Sequence, residues 1–446
     1  MAQVTGSSPI LAGQAGRPCS LLVRGPPIKV IRVTAGAESG YDTPRSVLAK
    51  GLVFVGAATL IGNGAAYALS MVAARVLTPA DFGAMGALLG LLIILATLGI
   101  SAQALTARRV ASAGPLRAEV EAQAIRLSVL IGIGLAVLAL VLTWPVSVIF
   151  TIPPVAVATG VLSIAFVVVG SAAMGIAQGR EQHLKLAGAF IANGVSRAVG
   201  GVIGVLVLQS VSGVGIGIMV GCAVGAAISY QLVAPRTWGK QLRDGIGVEF
   251  GHVAHALIVL FTLTNVDVLL ARVFLTEAQS GEYSVGVLLA KIAFFLPNAI
   301  IIVLFPKMAA GDSRRALFVA TGLTAFVGLM ITSVSFFLGD LVIRILGGAQ
   351  YVELGSEAWM VALEGSAFAL VQVLLYARLA AQDRKAVVAV WIALIVLVVI
   401  VAGWRNNSVA EIVTTVVAVS LVLTVVGLFL DRRSAPRTVL PIEAAE

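Results

Sequence analysis

The chain has 446 residues, of which 59% are hydrophobic and only 11% are charged, and its mean hydropathy is +1.04. The charged fraction is about half that of an average soluble protein, which excludes a soluble globular domain. The apolar residues occur in blocks of about 20, the length that an α-helix needs to cross the hydrocarbon core of a bilayer. Runs such as residues 90–100 are apolar on every side, whereas a transmembrane β-barrel would alternate apolar and polar residues. We therefore predict an all-α polytopic membrane protein.

The distribution of the basic residues and the absence of several sequence motifs exclude other classes of protein. The formal net charge is +9, but the basic residues separate apolar blocks instead of forming a continuous patch, so no nucleic-acid partner is expected. The two cysteines, Cys19 and Cys222, have no metal-binding spacing. The sequence contains no Walker-type phosphate loop and no recognisable nucleophile elbow. We expect neither an enzyme nor a protein-bound cofactor.

Twelve membrane spans are predicted by cutting the apolar blocks at charges, prolines and turn residues. In chain order, spans 1 to 12 cover residues 51–72, 84–105, 126–144, 155–177, 186–208, 213–233, 251–271, 282–305, 316–338, 358–378, 386–403 and 409–430. With both termini placed inside, 24 of the 30 basic residues fall in cytoplasmic loops and tails, and only four fall in outer loops. Because cytoplasmic loops retain Lys and Arg, this split favours twelve spans and two cytoplasmic termini.

The twelve spans divide into two bundles of six. The predicted segments are a disordered cytoplasmic tail (1–46), an N-terminal bundle (47–233), a cytoplasmic linker (234–250), a C-terminal bundle (251–430) and a cytoplasmic tail (431–446). Ala74-Arg75-Val76 follows span 1 and Ala271-Arg272-Val273 ends span 7, each before a Thr, an acidic residue and a Gly. Since each bundle has an even number of spans, the bundles would form a parallel repeat about a pseudo-two-fold axis along the membrane normal. Such halves usually rock about a central binding site.

Two cations fall inside predicted spans, where a charged side chain costs at least about 2.5 kcal/mol unless it faces water or a partner. Arg197 lies at the middle of span 5, with Asn193 one turn before it, and Lys291 lies near the middle of span 8. One interpretation is that the two cations, with Asn193 on the same side of span 5 as Arg197, face a central cavity and bind a phosphate or pyrophosphate. The alternative is that each pairs with an acid or a carbonyl, or that Lys291 reaches the membrane surface.

Polar residues in three other spans are candidates for the same cavity. Asn63, Tyr67 and Ser70 form a polar stripe on span 1, although such residues also serve as ordinary interhelical hydrogen bonders. A carboxylate buried in a cavity can carry a proton or bind Na⁺, which makes Asp267, with its neighbour Asn265, and Glu364 of span 10 candidates for ion coupling. The alternatives are a structural ion pair for Asp267 and an interfacial position for Glu364.

The sequence resembles a known family of membrane transporters in three segments. These are the turn at 75–83, the stretch from Asn265-Val266-Asp267 to Gly281-Glu282-Tyr283-Ser284, and the loop at 346–351. They resemble the polysaccharide flippases of the MOP superfamily, which are related to MATE exporters and to the lipid II flippase. The resemblance implies alternating access, a bacterial plasma membrane and a lipid-linked oligosaccharide substrate among membrane lipids. It also implies possible partners among the glycosyltransferases or the polymerase of the same pathway.

Three functions remain open on the sequence. The first is a flippase that moves a polyprenyl-pyrophosphate-linked oligosaccharide to the outer leaflet with possible H⁺ or Na⁺ coupling, which the central cations favour. The second is a MATE-like exporter of amphipathic compounds, which would need acids at the centre of the N-terminal bundle, where spans 1 to 6 contain none. The third is a polytopic glycosyltransferase, polymerase or ligase, for which only the loop after span 9 gathers suitable residues.

Overall fold

The computed structural model describes residues 44–234, 246–295, 313–380 and 384–433, and within these ranges the chain forms helices and no strand. The predicted N-terminal tail, except its last residues, lies outside the described ranges. So do most of the predicted linker, the end of span 8 and most of the C-terminal tail.

Thirteen α-helices follow one another along the described chain. Their bounds are α1 Pro44–Val76, α2 Pro79–Ala111, α3 Arg117–Phe150, α4 Pro154–Gly179, α5 His183–Leu208, α6 Val211–Val233, α7 Ile246–Leu263, α8 Val266–Phe274, α9 Glu277–Phe295, α10 Ser313–Leu346, α11 Ala358–Ala380, α12 Arg384–Gly403 and α13 Val409–Arg433. Short 3₁₀-helices cover Gly114–Leu116 and Ala349–Glu357. Every predicted span overlaps one of the α-helices, except that span 7 is divided between α7 and α8, which meet at an angle of 46°.

The described helices confirm a multi-pass membrane protein. Nine are long and apolar enough to cross a bilayer, and the number is ten if α7 and α8 form one bent span. The other two predicted spans correspond to α9, whose described part ends at Phe295, and to a shorter apolar helix, Val387–Gly403, within α12. The count of twelve and the internal repeat stay predictions.

The helices form two groups, the N half (α1–α6) and the C half (α7–α13), which pack together largely through α2. Helix α2 contacts α7, α8 and α9 of the C half. At the α2–α9 contact, a Cβ atom on Gly281 would collide with the carbonyl oxygen of Pro79, and one on Gly83 would collide with Ser280. Lipid gives apolar helices no hydrophobic reason to associate, so small residues that admit a close approach hold membrane helices together.

The two ends of the bundle are fastened by different residues, and we name each end after one of them. At the Arg75 end, Thr78 caps α2, with its side-chain oxygen accepting from the backbone N–H of Asp81 at 3.2 Å. At the Arg109 end, Arg109 of α2 donates to Glu249 of α7 through Nε at 3.1 Å, which ties the two halves together. The predicted topology places the Arg75 end outside the cell and the Arg109 end in the cytoplasm.

A buried ion pair also braces the N half. Helix α3 begins nine residues before predicted span 3, and this places Glu121 inside the helix with only 2% of its surface exposed. Arg180 donates from Nε to Glu121 Oε1 at 2.7 Å and from Nη1 to the carbonyl of Val233 at 2.9 Å. The sequence cut leaves Glu121 in a loop, whereas the structure buries it in the second turn of α3; the predicted spans 1 to 6 themselves contain no acid.

We expect Glu121→Ala to lower the free energy of unfolding by about 3 kcal/mol, because it leaves the Arg180 guanidinium buried without its carboxylate. Thermal denaturation of the purified protein in detergent measures the loss. Glu119→Ala removes an exposed carboxylate from the same turn of α3 and is the matched control. Equal melting temperatures for the two variants would contradict the structural role of the pair.

Candidate functional site

A cavity of about 230 Å³ lies between the N half and the C half. It is lined by α1, α2, α4, α5 and α6 on one side and by α7, α8, α9 and α11 on the other. Its polar and charged lining residues are Asn63, Tyr67, Ser70, Ser163, Arg197, Cys222, Thr264, Asn265, Asp267, Ser284, Lys291 and Glu364. The fold therefore gathers at one place eight of the nine residues that the sequence singles out, although they come from five helices and from the break between α7 and α8.

Arg197 brings a positive charge from the N half into this cavity. Its side chain is half-buried and makes no hydrogen bond or ion pair with any described residue. Cys222 of α6, within electrostatic range of Arg197, lines the same wall. No acid or carbonyl among the described residues pairs with Arg197, so the structure does not support the alternative of a structural pair. A cation in this setting is available to an anionic ligand.

Lys291 brings the second cation, from α9 of the C half. Its half-buried side chain lines the cavity within electrostatic range of Asp267. Phe294 and Phe295, whose ring centroids lie 4.9 Å apart, continue the lining beyond it. Lys291 thus faces the cavity, with a nearby carboxylate that Arg197 lacks.

The polar stripe of α1 also faces the cavity. Asn63, Tyr67 and Ser70 all line it. The Tyr67 hydroxyl is buried and has no hydrogen-bond partner among the described residues, whereas the Ser70 hydroxyl donates to the carbonyl of Ala66 in its own helix at 3.2 Å. Tyr67 is therefore the member of the stripe with a free polar group to offer a ligand.

Asn193 lies apart from the cavity. Its side-chain amide donates to the carbonyl of Ala189 at 2.9 Å and to the hydroxyl of Ser229 in α6 at 2.6 Å. A Cβ atom on Gly225 of α6 would lie 2.9 Å from the Cα of Asn193. The position predicted for Asn193, on the cavity side of α5, is thus corrected: this residue joins α5 to α6, because a helix face that meets a glycine-rich neighbour is filled by protein and not by water.

Two carboxyl groups and a tyrosine form a buried cluster on the C-half wall. Asp267, Tyr283 and Glu364 are 2%, 2% and 1% exposed. The Tyr283 hydroxyl donates to Asp267 Oδ2 at 3.0 Å and lies 3.3 Å from Glu364 Oε1. A phenol has one hydrogen to donate, so the second carboxyl either donates its own proton or is left facing another acceptor. Glu364 is thus fully buried beside Asp267 and lines the cavity, which favours the cavity position over the interfacial one considered for it.

Tyr283 was not singled out as a site residue from the sequence, although a signal for it exists. Helices α8 and α9 form a hairpin around Leu275, and Asp267 lies eight residues before this position and Tyr283 eight residues after it. Residues equally far from the same turn lie at the same depth on antiparallel helices. Aligning the hairpin would therefore have paired them.

The break between α7 and α8 exposes further oxygen atoms beside this cluster. Asn265 lies in the break and donates from Nδ2 to the carbonyl of Phe261 at 2.9 Å. Buried oxygens of three side chains, Asn265 Oδ1, Asp267 Oδ1 and Glu364 Oε2, have no hydrogen-bond donor among the described residues. Interrupted helices supply ion-binding oxygens in many transporters. In the described residues no three His, Cys, Asp or Glu side chains come together as a metal site.

The fold of this chain is that of known membrane transporters. It superposes on a multidrug resistance MATE family transporter of the MOP superfamily in an inward-facing conformation with a TM-score of 0.69, at 13% identity, over 82% of this chain and 93% of that one. The lipid II flippase MurJ, in an inward closed conformation, gives a TM-score of 0.70 at 11% identity, over 86% and 87% of the two chains. A MOP superfamily transporter from Pyrococcus furiosus, described as having a binding pocket of reverse polarity, gives 0.57 at 13% identity, over 88% and 98%.

The architecture is therefore that of a multi-pass membrane protein with the fold of the MOP superfamily transporters. The family model described as "Polysaccharide biosynthesis protein" matches residues 48–311, more than half of the sequence. The chain therefore belongs to the polysaccharide biosynthesis protein family, as its resemblance to polysaccharide flippases predicted. No curated protein sequence matches the chain.

Proposed function

We propose that this protein moves a polyprenyl-pyrophosphate-linked oligosaccharide from the cytoplasmic to the outer leaflet by alternating access, for the synthesis of a cell-surface polysaccharide. The observation that carries the proposal is the cavity between the halves, to which each half contributes one cation, Arg197 and Lys291. A pyrophosphate is the part of such a lipid that two cations would hold. Membership of a polysaccharide biosynthesis family supports this class of substrate.

The charge on the two walls of the cavity favours an anionic substrate over a cationic one. Among the described residues that line it, the N half contributes Arg197 and no acid. Guanidinium groups bind phosphate through two parallel hydrogen bonds, whereas an ammonium acts as a point charge. We assign the main contact with the pyrophosphate to Arg197, with Lys291 completing it from the opposite wall. Tyr67 and Asn63 would bind neighbouring polar groups of the substrate.

We propose that the cluster of Asp267, Glu364 and Asn265 couples transport to an ion gradient. Its shared Tyr283 hydroxyl and its unpaired oxygens suit either a proton or Na⁺. Lys291 lies within reach of both the cavity and Asp267. A substrate phosphate would draw on the same positive charge that balances Asp267, and this competition would link substrate binding to ion binding.

The proposed setting is the plasma membrane of a bacterium, with both termini in the cytoplasm. The split of 24 basic residues against four between alternate loops supports this orientation. Glycosyltransferases or a polymerase of the same pathway are the proposed protein partners, since they make the substrate on one side of the membrane and consume it on the other.

A second candidate is an exporter of amphipathic compounds, which the buried acids Asp267 and Glu364 favour. Carboxylates in a cavity are the groups that a cationic compound would seek. Both acids, however, lie on one wall and share the Tyr283 hydroxyl, while the other wall carries Arg197. The flippase accounts for all four charged groups, and the exporter for only two.

Depletion of the protein in its native cell tests the function. We expect a complete polyprenyl-pyrophosphate oligosaccharide to accumulate, detected by mass spectrometry, and to disappear when the wild-type protein is expressed again. If no lipid-linked glycan accumulates, the flippase proposal fails and export of amphipathic compounds is assayed next. A truncated glycan would instead indicate an enzyme that extends the sugar.

A further inference from the structure

Two arginines at the Arg75 end reach from one half of the protein to the other. Arg272, the last basic residue of α8, is only 7% exposed. It donates from Nε to the carbonyl of Phe150 at 3.0 Å and from Nη2 to the carbonyl of Thr151 at 2.9 Å, at the C-terminus of α3. A third bond runs from Nη1 to the carbonyl of Ala80 in α2 at 3.2 Å.

Arg75 makes the corresponding contact in the opposite direction. It ends α1 of the N half and donates from Nη2 to the carbonyl of Ile345 at 2.6 Å, with Leu346 O at 3.5 Å from Nη1. These carbonyls form the C-terminus of α10 in the C half. Gln350, just beyond α10, donates in return to the carbonyl of Ala74 at 2.6 Å.

Both contacts use the same physical interaction. The last carbonyls of a helix have no partner within it and carry a partial negative charge, which a cation at the C-terminus stabilises. The forked guanidinium can serve two such carbonyls at once. Arg75 lies at the end of α1 in the N half and caps α10 of the C half, and Arg272 lies near the end of α8 in the C half and caps α3 of the N half. The pair Ala74-Arg75-Val76 and Ala271-Arg272-Val273, noted in the sequence as a repeat, thus has a matching role in both halves.

The arginine contacts lie at an end where the halves also pack closely. The close approach of Gly83 and Gly281 joins α2 to α9 at this end, and Gly86 packs on Ser284 one turn further along, where the cavity begins. A transporter that alternates must separate these surfaces to open here. The glycine contact is a fit of shapes, whereas the arginine contacts are hydrogen bonds that break as the ends separate.

We propose that Arg75 and Arg272 are two matched latches that hold the Arg75 end closed, and that this end opens only when both release the helix termini they cap. The proposal builds on the alternating access of the proposed function but does not depend on which substrate is carried. A conformational measurement without substrate therefore tests it apart from the transport proposal.

Distances between spin labels, measured on the full-length protein in lipid nanodiscs, give the direct test. In a background with Cys19→Ser and Cys222→Ala, one label pair at Val155 and Ala349 reports on the Arg75 end, and a second pair at Leu116 and Val388 reports on the Arg109 end. All four labelled positions are exposed, and each pair joins the two halves. We expect Arg75→Gln and Arg272→Gln each to raise the ratio of open to closed Arg75 end by roughly tenfold, and the double variant to raise it further.

Two comparisons separate a latch from general damage to the structure. Arg405→Gln removes an arginine from the loop between α12 and α13, where it donates to Thr414 within the C half at 2.8 Å, and it should leave both distances unchanged. Glu249→Gln weakens the tie at the Arg109 end and should lengthen the distance there, in the opposite sense to the latch variants. Arg272→Lys keeps the positive charge but loses the forked guanidinium, and it should give a ratio of open to closed Arg75 end between those of the wild type and Arg272→Gln. It serves as the further test if the double variant does not fold.

Unchanged distances at the Arg75 end in a folded latch variant would overturn the proposal, and so would an equal change with Arg405→Gln. If the latch variants open the Arg75 end but depletion of the protein accumulates no lipid-linked glycan, the latches stand and the proposed substrate is wrong. If the glycan accumulates but the arginine variants leave the label distance at the Arg75 end unchanged, the proposed substrate stands and the latches are wrong.

Discussion

Arg197→Ala is expected to lower the rate of lipid-linked oligosaccharide flipping by roughly 100-fold or more. A charge-assisted hydrogen bond contributes about 1.5–3 kcal/mol, and Arg197 would make two of them to the pyrophosphate. The Arg197 guanidinium has no hydrogen-bond or ion-pair partner among the described residues. The substitution should therefore weaken substrate binding without lowering the stability of the fold. The rate is measured in proteoliposomes with the lipid that accumulates on depletion, through its exposure to a glycosidase on one side.

Three further variants locate the effect of Arg197. Lys185→Ala removes an exposed cation from the same helix, α5, and should flip substrate at the wild-type rate. Arg197→Lys should recover part of the rate, because a point charge replaces the fork. Lys291→Ala should cost less than Arg197→Ala, because an ammonium offers the pyrophosphate a point charge without the paired hydrogen bonds of a guanidinium. Equal rates for Arg197→Ala and Lys185→Ala would contradict the assignment of Arg197 to the substrate.

Glu364→Gln is expected to abolish the response of transport to an ion gradient. Glutamine fills the same volume and still accepts a hydrogen bond from Tyr283, but it can neither take up a proton nor balance Na⁺. Transport in proteoliposomes is compared with an imposed pH gradient, with an imposed Na⁺ gradient and with neither. We expect at least a tenfold loss of the gradient-driven component, with the gradient that matters identifying the ion.

The control for Glu364→Gln is Glu282→Gln. Glu282 lies on α9 beside Tyr283 but does not line the cavity, and its substitution should leave the response intact. Tyr283→Phe should weaken coupling without removing it, because both carboxyl groups remain. A Glu364→Gln protein that still responds to the gradient as the wild type does would rule out this cluster as the coupling site.

The two walls of the cavity differ in the groups that they offer. The N-half wall offers Arg197 and the polar stripe of α1, which suits the binding of an anionic head group. The C-half wall offers the carboxyl cluster, which suits an ion, and Lys291 lies between the two. If the halves rock about this cavity, the charge on Lys291 is the physical link between cargo and ion.

The sequence by itself determined the class of protein and the place of its helices. The composition and the 20-residue apolar blocks required membrane helices, and each predicted span overlaps a helix in the described ranges. Arg197, Lys291, Asp267 and Glu364 could be found because a charge in hydrocarbon is costly and is kept only where it faces a cavity or a partner. Depth in the membrane is a property of position along the chain, and so the sequence can report it.

Only the tertiary structure decided which face of each helix meets the cavity and which residues meet across the halves. Asn193 and Arg197 are one turn apart on α5, yet Asn193 bonds to α6 and Arg197 faces the cavity. Arg75 and Ile345 are 270 residues apart, and their contact exists only because the halves pack together. Glu121 lies in a predicted loop, and only the structure shows that it is buried in α3 and paired with Arg180. Local sequence fixes the depth and the length of a helix, but its rotation and its partners depend on the packing of all its neighbours, which no single segment encodes.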